Sequence, residues 1–171
     1  MRLRKLFYTG PSLATLHEEY AKKRRIDEAA PLTTASSIVV NAPVERVWAA
    51  MSDLRSWPTW NPAIHMLDLG AVMPDAPFTW RLGGATVRAR FAVVDPGREL
   101  TWTGLSLVFK AVDRHVLEPV PGGRTRVTVE ESLAGPLLPL IYGTSRLRRG
   151  HEQWLTALKT FVETSPLAAK S

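Results

Sequence analysis

The chain has no cysteine among its 171 residues. That excludes disulfides, a thiolate nucleophile and any metal site built on sulfur. It also lacks an apolar run of the ~18 residues that a membrane-crossing helix needs, so no stable membrane insertion is expected. A secretory leader is missing as a pattern: "MRLRKLFYTGPSLATLHEEY" begins basic, but Tyr8, Thr9 and Gly10 interrupt it before an apolar core forms. A cytoplasmic location fits these absences. The four histidines (His17, His65, His115 and His151) show no HExxH-type pairing, so no metal is expected. Gly83-Gly84 and Gly122-Gly123 fall in hairpins rather than before helices, so phosphate binding has no support and no cofactor is expected. Glu130 and Glu131 are neighbours on a strand and point oppositely, unlike a glycosidase pair.

What is present is an ordinary globular composition with a net charge of +6. Half of that charge lies in residues 1–34, where seven basic side chains face four acidic ones. "KKRR" sits among Glu18, Glu19, Asp27 and Glu28 and reads as a solvated helix face, so no nucleic-acid partner is expected. Arg146, Arg148 and Arg149 likewise read as a solvated face.

Pro11 and Ser12 open a short amphipathic helix with Leu13, Leu16 and Tyr20 on one side. "SSIVV" is a β-branched strand, and "NAPVERVWAAMSD" is a helix with Val44, Val47, Trp48 and Met51 inward. "LRSWPTWNP", broken by Pro58 and Pro62, holds at most a second short helix. The period then changes to two. "IHMLDL", "FTWRL", "TVRARFAVV", "ELTWTGL", "LVFKAVDRHVLEP" and "TRVTVEESL" are six strands joined by short turns. A helix from about Leu140 to Glu163 follows, with Leu140, Thr144, Leu147, His151, Trp154, Leu158 and Phe161 along its core stripe. This order predicts an α+β fold in which a curved seven-stranded antiparallel sheet wraps around the long C-terminal helix, with two short helices after the first strand. Residues 1–34 read as a basic amphipathic extension, 35–165 as the ligand-binding domain and 166–171 as a tail. If 1–34 is an appendage, a chain starting near Ala35 keeps its melting temperature within a few degrees; if Leu13, Leu16 and Tyr20 pack as core, it is insoluble.

Four stretches carry a family resemblance: "SIVVNAPVERVWAAMSDLRSWPTWNP", "VVDPGRELTWTG", "VLEPVPGGRTRVTVEES" and "HEQWLTALKTFVE". Over residues 35–163 the chain resembles the START-type helix-grip (SRPBCC) superfamily, in its polyketide cyclase/dehydrase and lipid-transport-like branch. The resemblance implies an internal cavity for an apolar small molecule. It implies no reaction, because the family has no shared catalytic signature.

Alternation along "AVDRHVLEP" allows two assignments. The face with Ala111, Asp113, His115 and Leu117 carries fewer charges than the other and matches the family pattern, so it is taken as inward. Asp113, His115, Glu131, Thr144 and His151 are then polar groups in an apolar enclosure, the usual construction of a small-molecule site. A histidine–carboxylate set of His151, His115, Asp113 and Glu131 suits general acid–base catalysis. Trp57, Trp60, Asn61, Trp80, Val87, Phe91, Trp102, Thr144, Leu147 and Trp154 are the candidate ligand contacts. The predicted function is binding of a polyketide-, lipid- or aromatic-like molecule, with cofactor-free cyclase or dehydratase (lyase or isomerase) chemistry centred on His151. The alternatives left open are a non-catalytic carrier and an interaction protein that uses the basic segment 1–29; a homodimer is compatible with either. His151→Leu is expected to leave stability unchanged or improved while abolishing binding or turnover.

Overall fold

The computed structural model describes residues 5–165. Arg2 and Arg4 of the basic segment, and the tail at 166–171, lie outside the described residues.

Seven strands form one antiparallel sheet in the order β1-β7-β6-β5-β4-β3-β2. They are β1 (Leu32–Val40), β2 (Ile64–Leu69), β3 (Pro77–Leu82), β4 (Ala85–Asp95), β5 (Glu99–Ser106), β6 (Phe109–Val120) and β7 (Arg124–Ala134). The short connections from β2 to β7 give a meander, and β1 closes onto β7 with Leu32 opposite Leu133 and Val40 opposite Thr125. The first strand therefore begins at Leu32, inside the stretch set apart at 1–34.

Between β1 and β2 lie α2 (Val44–Ser52), a single 3-10 turn (Leu54–Ser56) and α3 (Trp57–Trp60). They bury Val47, Met51, Leu54 and Trp57, and the Trp57 indole donates to the Met51 carbonyl at 3.0 Å. The long helix α5 (Thr144–Thr164) buries Leu147, His151, Trp154, Leu155, Leu158 and Val162. It is shorter at its start than the sequence suggested. Pro139 instead opens a separate turn, α4 (Leu138–Ile141), which ends at extended Tyr142 before Gly143. Leu140, expected on the core stripe, is exposed.

Two further expectations change. Leu107 and Val108 do not extend a strand; they form the β5–β6 turn, with Ser106 paired to Phe109. Strict alternation along "TVRARFAVV" puts Val87, Ala89, Phe91 and Val93 on one face, but a register shift between Phe91 and Val93 resets it, so Val94 rather than Val93 packs against the inner cluster.

The sheet's outer face is also covered. A helical segment, α1 (Leu13–Thr15, continuing through Leu16–Tyr20 and Ala21–Lys23), starts where the Ser12 hydroxyl accepts the Thr15 amide. Leu16 and Ala21 pack against Ala92 and Val112 on the back of β4 and β6. Among the described residues no helix is long and apolar enough to cross a membrane.

Candidate active site

The inner face of the sheet and α5 enclose an aromatic interior around His115. Its ring stacks on Trp102 at 4.6 Å between centroids and meets the edge of Trp154 at 4.6 Å. Trp57 lies 6.4 Å away and joins Trp60, Trp102 and Trp154 to each other. Phe78 stacks on Phe91 at 4.2 Å. Such rings bury large areas and fix one another's tilt.

Into this interior β6 and β7 direct two acids. Asp113 and Glu131 are directly opposite across the strand pair, and His115 follows Asp113 by two residues on the same face. From the other side His151, on α5, brings Nε2 to 2.7 Å from Glu131 Oε2. His115 Nδ1 lies 3.5 Å from Asp113 Oδ1. The four side chains proposed from sequence as catalytic thus occupy one place. Asp113 and Glu131 keep 13% of their side-chain surface accessible and His151 10%, against 4% for His115, so water-sized molecules reach the first three most readily.

The electrostatics follow from this crowding. Burial, and then the Glu131 charge opposite, push the Asp113 carboxyl well above the usual carboxylate range. The shift favours the protonated carboxylic acid, which can donate. Burial, and then His151, push His115 down to about 3, so its imidazole stays neutral. Tyr142, which the sequence reading passed over, has its hydroxyl pushed up by burial and by Glu131, which places it beside the same cluster. A lone tyrosine before a helix-capping glycine carries no local signal of that proximity.

Several buried polar atoms here make no hydrogen bond: Asp113 Oδ1 and His115 Nδ1, which stand 3.5 Å apart without bonding, His151 Nδ1, and the indole nitrogens of Trp60, Trp80 and Trp154. Folded interiors pair nearly all such atoms, and an unpaired one costs about 1–3 kcal/mol.

The other sequence candidates separate. Trp57, Trp60, Trp80, Phe91, Trp102 and Trp154 belong to the inner cluster, and Val87 packs at its edge. Leu147 belongs to a neighbouring cluster with Leu32 and Leu138, beside Phe109 and Tyr142. Thr144 stands at the start of α5. Asn61 is used locally, its side-chain oxygen accepting the Ala63 amide at 3.3 Å. In the space between sheet and helix where an open void was expected, neighbouring rings of Trp57, Trp60, Trp102, His115 and Trp154 stand 4.6–6.4 Å apart. Two grooves of about 620 and 390 Å³ open elsewhere, the larger between α2, the β4–β5 turn and the end of β6. None of the candidate site residues lines either groove.

On the outer face His17, Glu18 and Asp75 bring ligand-type atoms within 4.8 Å of one another. The Lys22 ammonium already takes the cation's place there, 3.0 Å from Glu18 and 2.9 Å from Asp75.

Solved structures share the fold. A Streptomyces aromatase/cyclase, Zhui, superposes with a TM-score of 0.64 at 16% identity, over 81% of this chain and 97% of that one. A START superfamily protein from Mycobacterium smegmatis gives 0.66 at 19% identity, over 77% and 97%. A hypothetical protein from Helicobacter pylori gives 0.66 at 18%, over 76% and 87%. At these identities the likeness shows the fold alone. Among curated proteins none matches the chain. The family model described as polyketide cyclase/dehydrase and lipid transport matches residues 31–163. Most of the sequence is covered by that match, and the chain belongs to the polyketide cyclase/dehydrase and lipid-transport family.

Proposed function

We propose that the grip binds an apolar, ring-containing small molecule bearing carbonyl or hydroxyl oxygens, and that it performs cofactor-free acid–base chemistry on it. The observation that carries this reading is the set of unpartnered polar atoms aimed into an aromatic interior. A purely structural core would place leucine or phenylalanine at 113, 131 and 151. Ligand oxygens would satisfy the indole N–H groups while the rings stack on the ligand's body.

The acid–base set divides the work. With Nε2 protonated and donating to Glu131, His151 keeps Nδ1 as a free base, the carboxylate fixing the tautomer. Asp113, whose carboxyl burial and Glu131 push toward the protonated form, is the acid. In a dehydration, His151 Nδ1 takes a proton from the carbon beside a carbonyl while Asp113 protonates the departing hydroxyl. Water leaves, a carbon–carbon double bond forms, and no redox partner is needed. A cyclisation uses the same pair: the new carbanion attacks the carbon of a second carbonyl, the C=O π bond breaks, and Asp113 protonates the resulting oxygen. The aromatase/cyclase among the fold neighbours and the family's description support this class of chemistry. Entry requires the rings around His115 to part.

Titration with naphthol, read by tryptophan emission, tests the binding step: saturable one-to-one quenching is expected, and quenching without saturation overturns it. Mass spectrometry of the small molecule that copurifies with the protein then supplies the substrate for turnover. His151→Gln is expected to keep its affinity and lose conversion. If the wild-type protein converts nothing, the carrier reading replaces the catalytic one.

A further inference from the structure

The large apolar side chains left exposed are not scattered. Phe7, Leu107, Val108, Leu137, Leu140 and Ile141 are all exposed, and beside them only Met73 and Leu82 are so among the described residues. Those six lie at one end of the molecule. The Leu137 amide donates to the Leu6 carbonyl at 2.7 Å, which ties the chain's start to the segment before α4. Gly135 is pressed against the β5–β6 turn: a Cβ there would meet Phe109 Cδ1 at 2.3 Å and the Val108 carbonyl at 3.3 Å. Leu107, at 84% exposure, with Leu140 at 62% and Ile141 at 61%, projects from this tip. Contiguous exposed apolar surface of this kind marks an interaction site.

The backbone works against its own preferences to present it. Leu107 and Leu137 both take left-handed conformations, φ +55° and +57°. Asparagine or glycine ordinarily occupies such positions, and a bulky residue there is strained. Two-residue hairpin turns favour Asn-Gly or Gly-X, yet this one is Leu107-Val108.

The charge beside the tip is cationic and equally unhelpful to folding. Arg146, Arg148 and Arg149 sit in the first two turns of α5, where no acidic residue stands in the first turn. The helix dipole is positive at that end, so these charges are repelled by it. Among the described residues none of the three has an ion-pair partner; Arg146 lies over the Tyr142 ring at 4.9 Å. Lys5 adds another exposed cation next to Leu6.

We propose that this tip docks reversibly on an anionic lipid surface, Leu107, Leu137, Leu140 and Ile141 entering the headgroup layer while the arginines meet lipid phosphates. Apolar side chains ringed by cations fit such a surface. A second copy of the chain fits poorly, because the same arginines would face one another across a two-fold axis. The docking surface requires no ligand in the grip.

Flotation with vesicles tests it, using phosphatidylcholine alone or with about a third phosphatidylglycerol. Binding is expected to the anionic vesicles only, weakening about tenfold or more as salt is raised well beyond physiological strength. Leu140→Asp with Ile141→Asp, and separately Arg148→Glu with Arg149→Glu, should each reduce it at least tenfold. Naphthol quenching should persist in both variants. Leu107→Asn supplies the folding control: asparagine tolerates the positive φ, so the melting temperature should hold or rise while vesicle affinity falls. The proposal is overturned by equal binding to both vesicle types, by no binding, or by binding that the Leu140 and Ile141 substitutions leave intact. It is also overturned if the wild-type chain dimerises and those substitutions abolish the dimer.

Discussion

The two faces of the sheet handle buried charge in opposite ways. On the outer face Glu99 is buried, yet it accepts from Arg114 at 3.1 and 3.2 Å, from Arg24 at 3.0 Å and from the Thr101 hydroxyl at 2.7 Å. Arg114 also reaches Glu130, and Arg24 reaches Asp95 at 2.8 Å. His17 is equally occupied, with Nδ1 on Thr103 at 2.9 Å and Nε2 on Asp75 at 3.0 Å. On the inner face Asp113, His115 and His151 each keep a buried atom without a partner. A completed network rigidifies, whereas an incomplete one spends stability on readiness for something else. The faces differ in purpose, and the difference is visible in unpaired atoms rather than in residue types.

The sharpest way to break the contrast is at Glu99. Glu99→Leu leaves Arg114 buried without its main partner, and a loss of about 3–5 kcal/mol is expected in denaturant unfolding. Leu16→Ala should cost about 2–4 kcal/mol by opening a cavity under α1. A cost below 0.5 kcal/mol would return residues 1–34 to the status of an appendage, which their packing argues against.

Effects on the inner face should be smaller and should depend on pairing. His151→Leu alone strands Glu131, so the expectation of unchanged stability from sequence gives way to a loss. Replacing both, as Glu131→Leu with His151→Leu, should bring stability back to within about 1 kcal/mol of wild type or above it. A double variant no more stable than the single one would show that the pair holds the fold together.

The pH dependence separates Asp113 from His115. Between about pH 3 and 6.5 the unfolded chain protonates His115 and the folded chain does not, so this group makes stability rise with pH. Asp113 has the opposite sign. Above its unfolded pKa of about 3.9 the folded protein retains a proton that the unfolded chain has lost, so stability falls as pH rises toward its folded value. Each slope is at most about 1.4 kcal/mol per pH unit, and from about pH 4 to 6.5 they oppose. Asp113→Asn should therefore make the protein more acid-labile than wild type across that window, and His115→Phe less so. Identical slopes in all three proteins would mean that neither group is held as described.

Much of this was legible in the sequence, for reasons that also explain what was not. The first strand could be found from its β-branched residues, and the six from β2 to β7 from their period of two and because all but one of the hairpins between them contain glycine or proline. The Leu107-Val108 turn has neither, so it was read as strand. Pro139 and Gly143 bracket α4, but the apolar spacing of Leu140 masked the break. The inward face of β6 could be chosen from charge, and that placed Asp113 and His115 correctly. Their register against Glu131 and their depth below His151 depend on how far the sheet curls, which no local pattern encodes. Alternation along β6 likewise left Arg114 for the outer face, where Glu99 joins it. Their burial comes from α1 folding back over that face, a contact 75 residues away for Arg24 and Glu99.

The stack of Trp102 on His115 makes the interior an optical instrument. A protonated imidazole in contact with an indole quenches its excited state by drawing charge, while a neutral imidazole does so far less. Because His115 stays neutral until about pH 3, Trp102 should remain bright through the range in which exposed histidines titrate. The near-ultraviolet dichroism of four mutually tilted indoles (Trp57, Trp60, Trp102 and Trp154) would register any parting of the rings without an added dye. The same rings that close the grip therefore report when it opens.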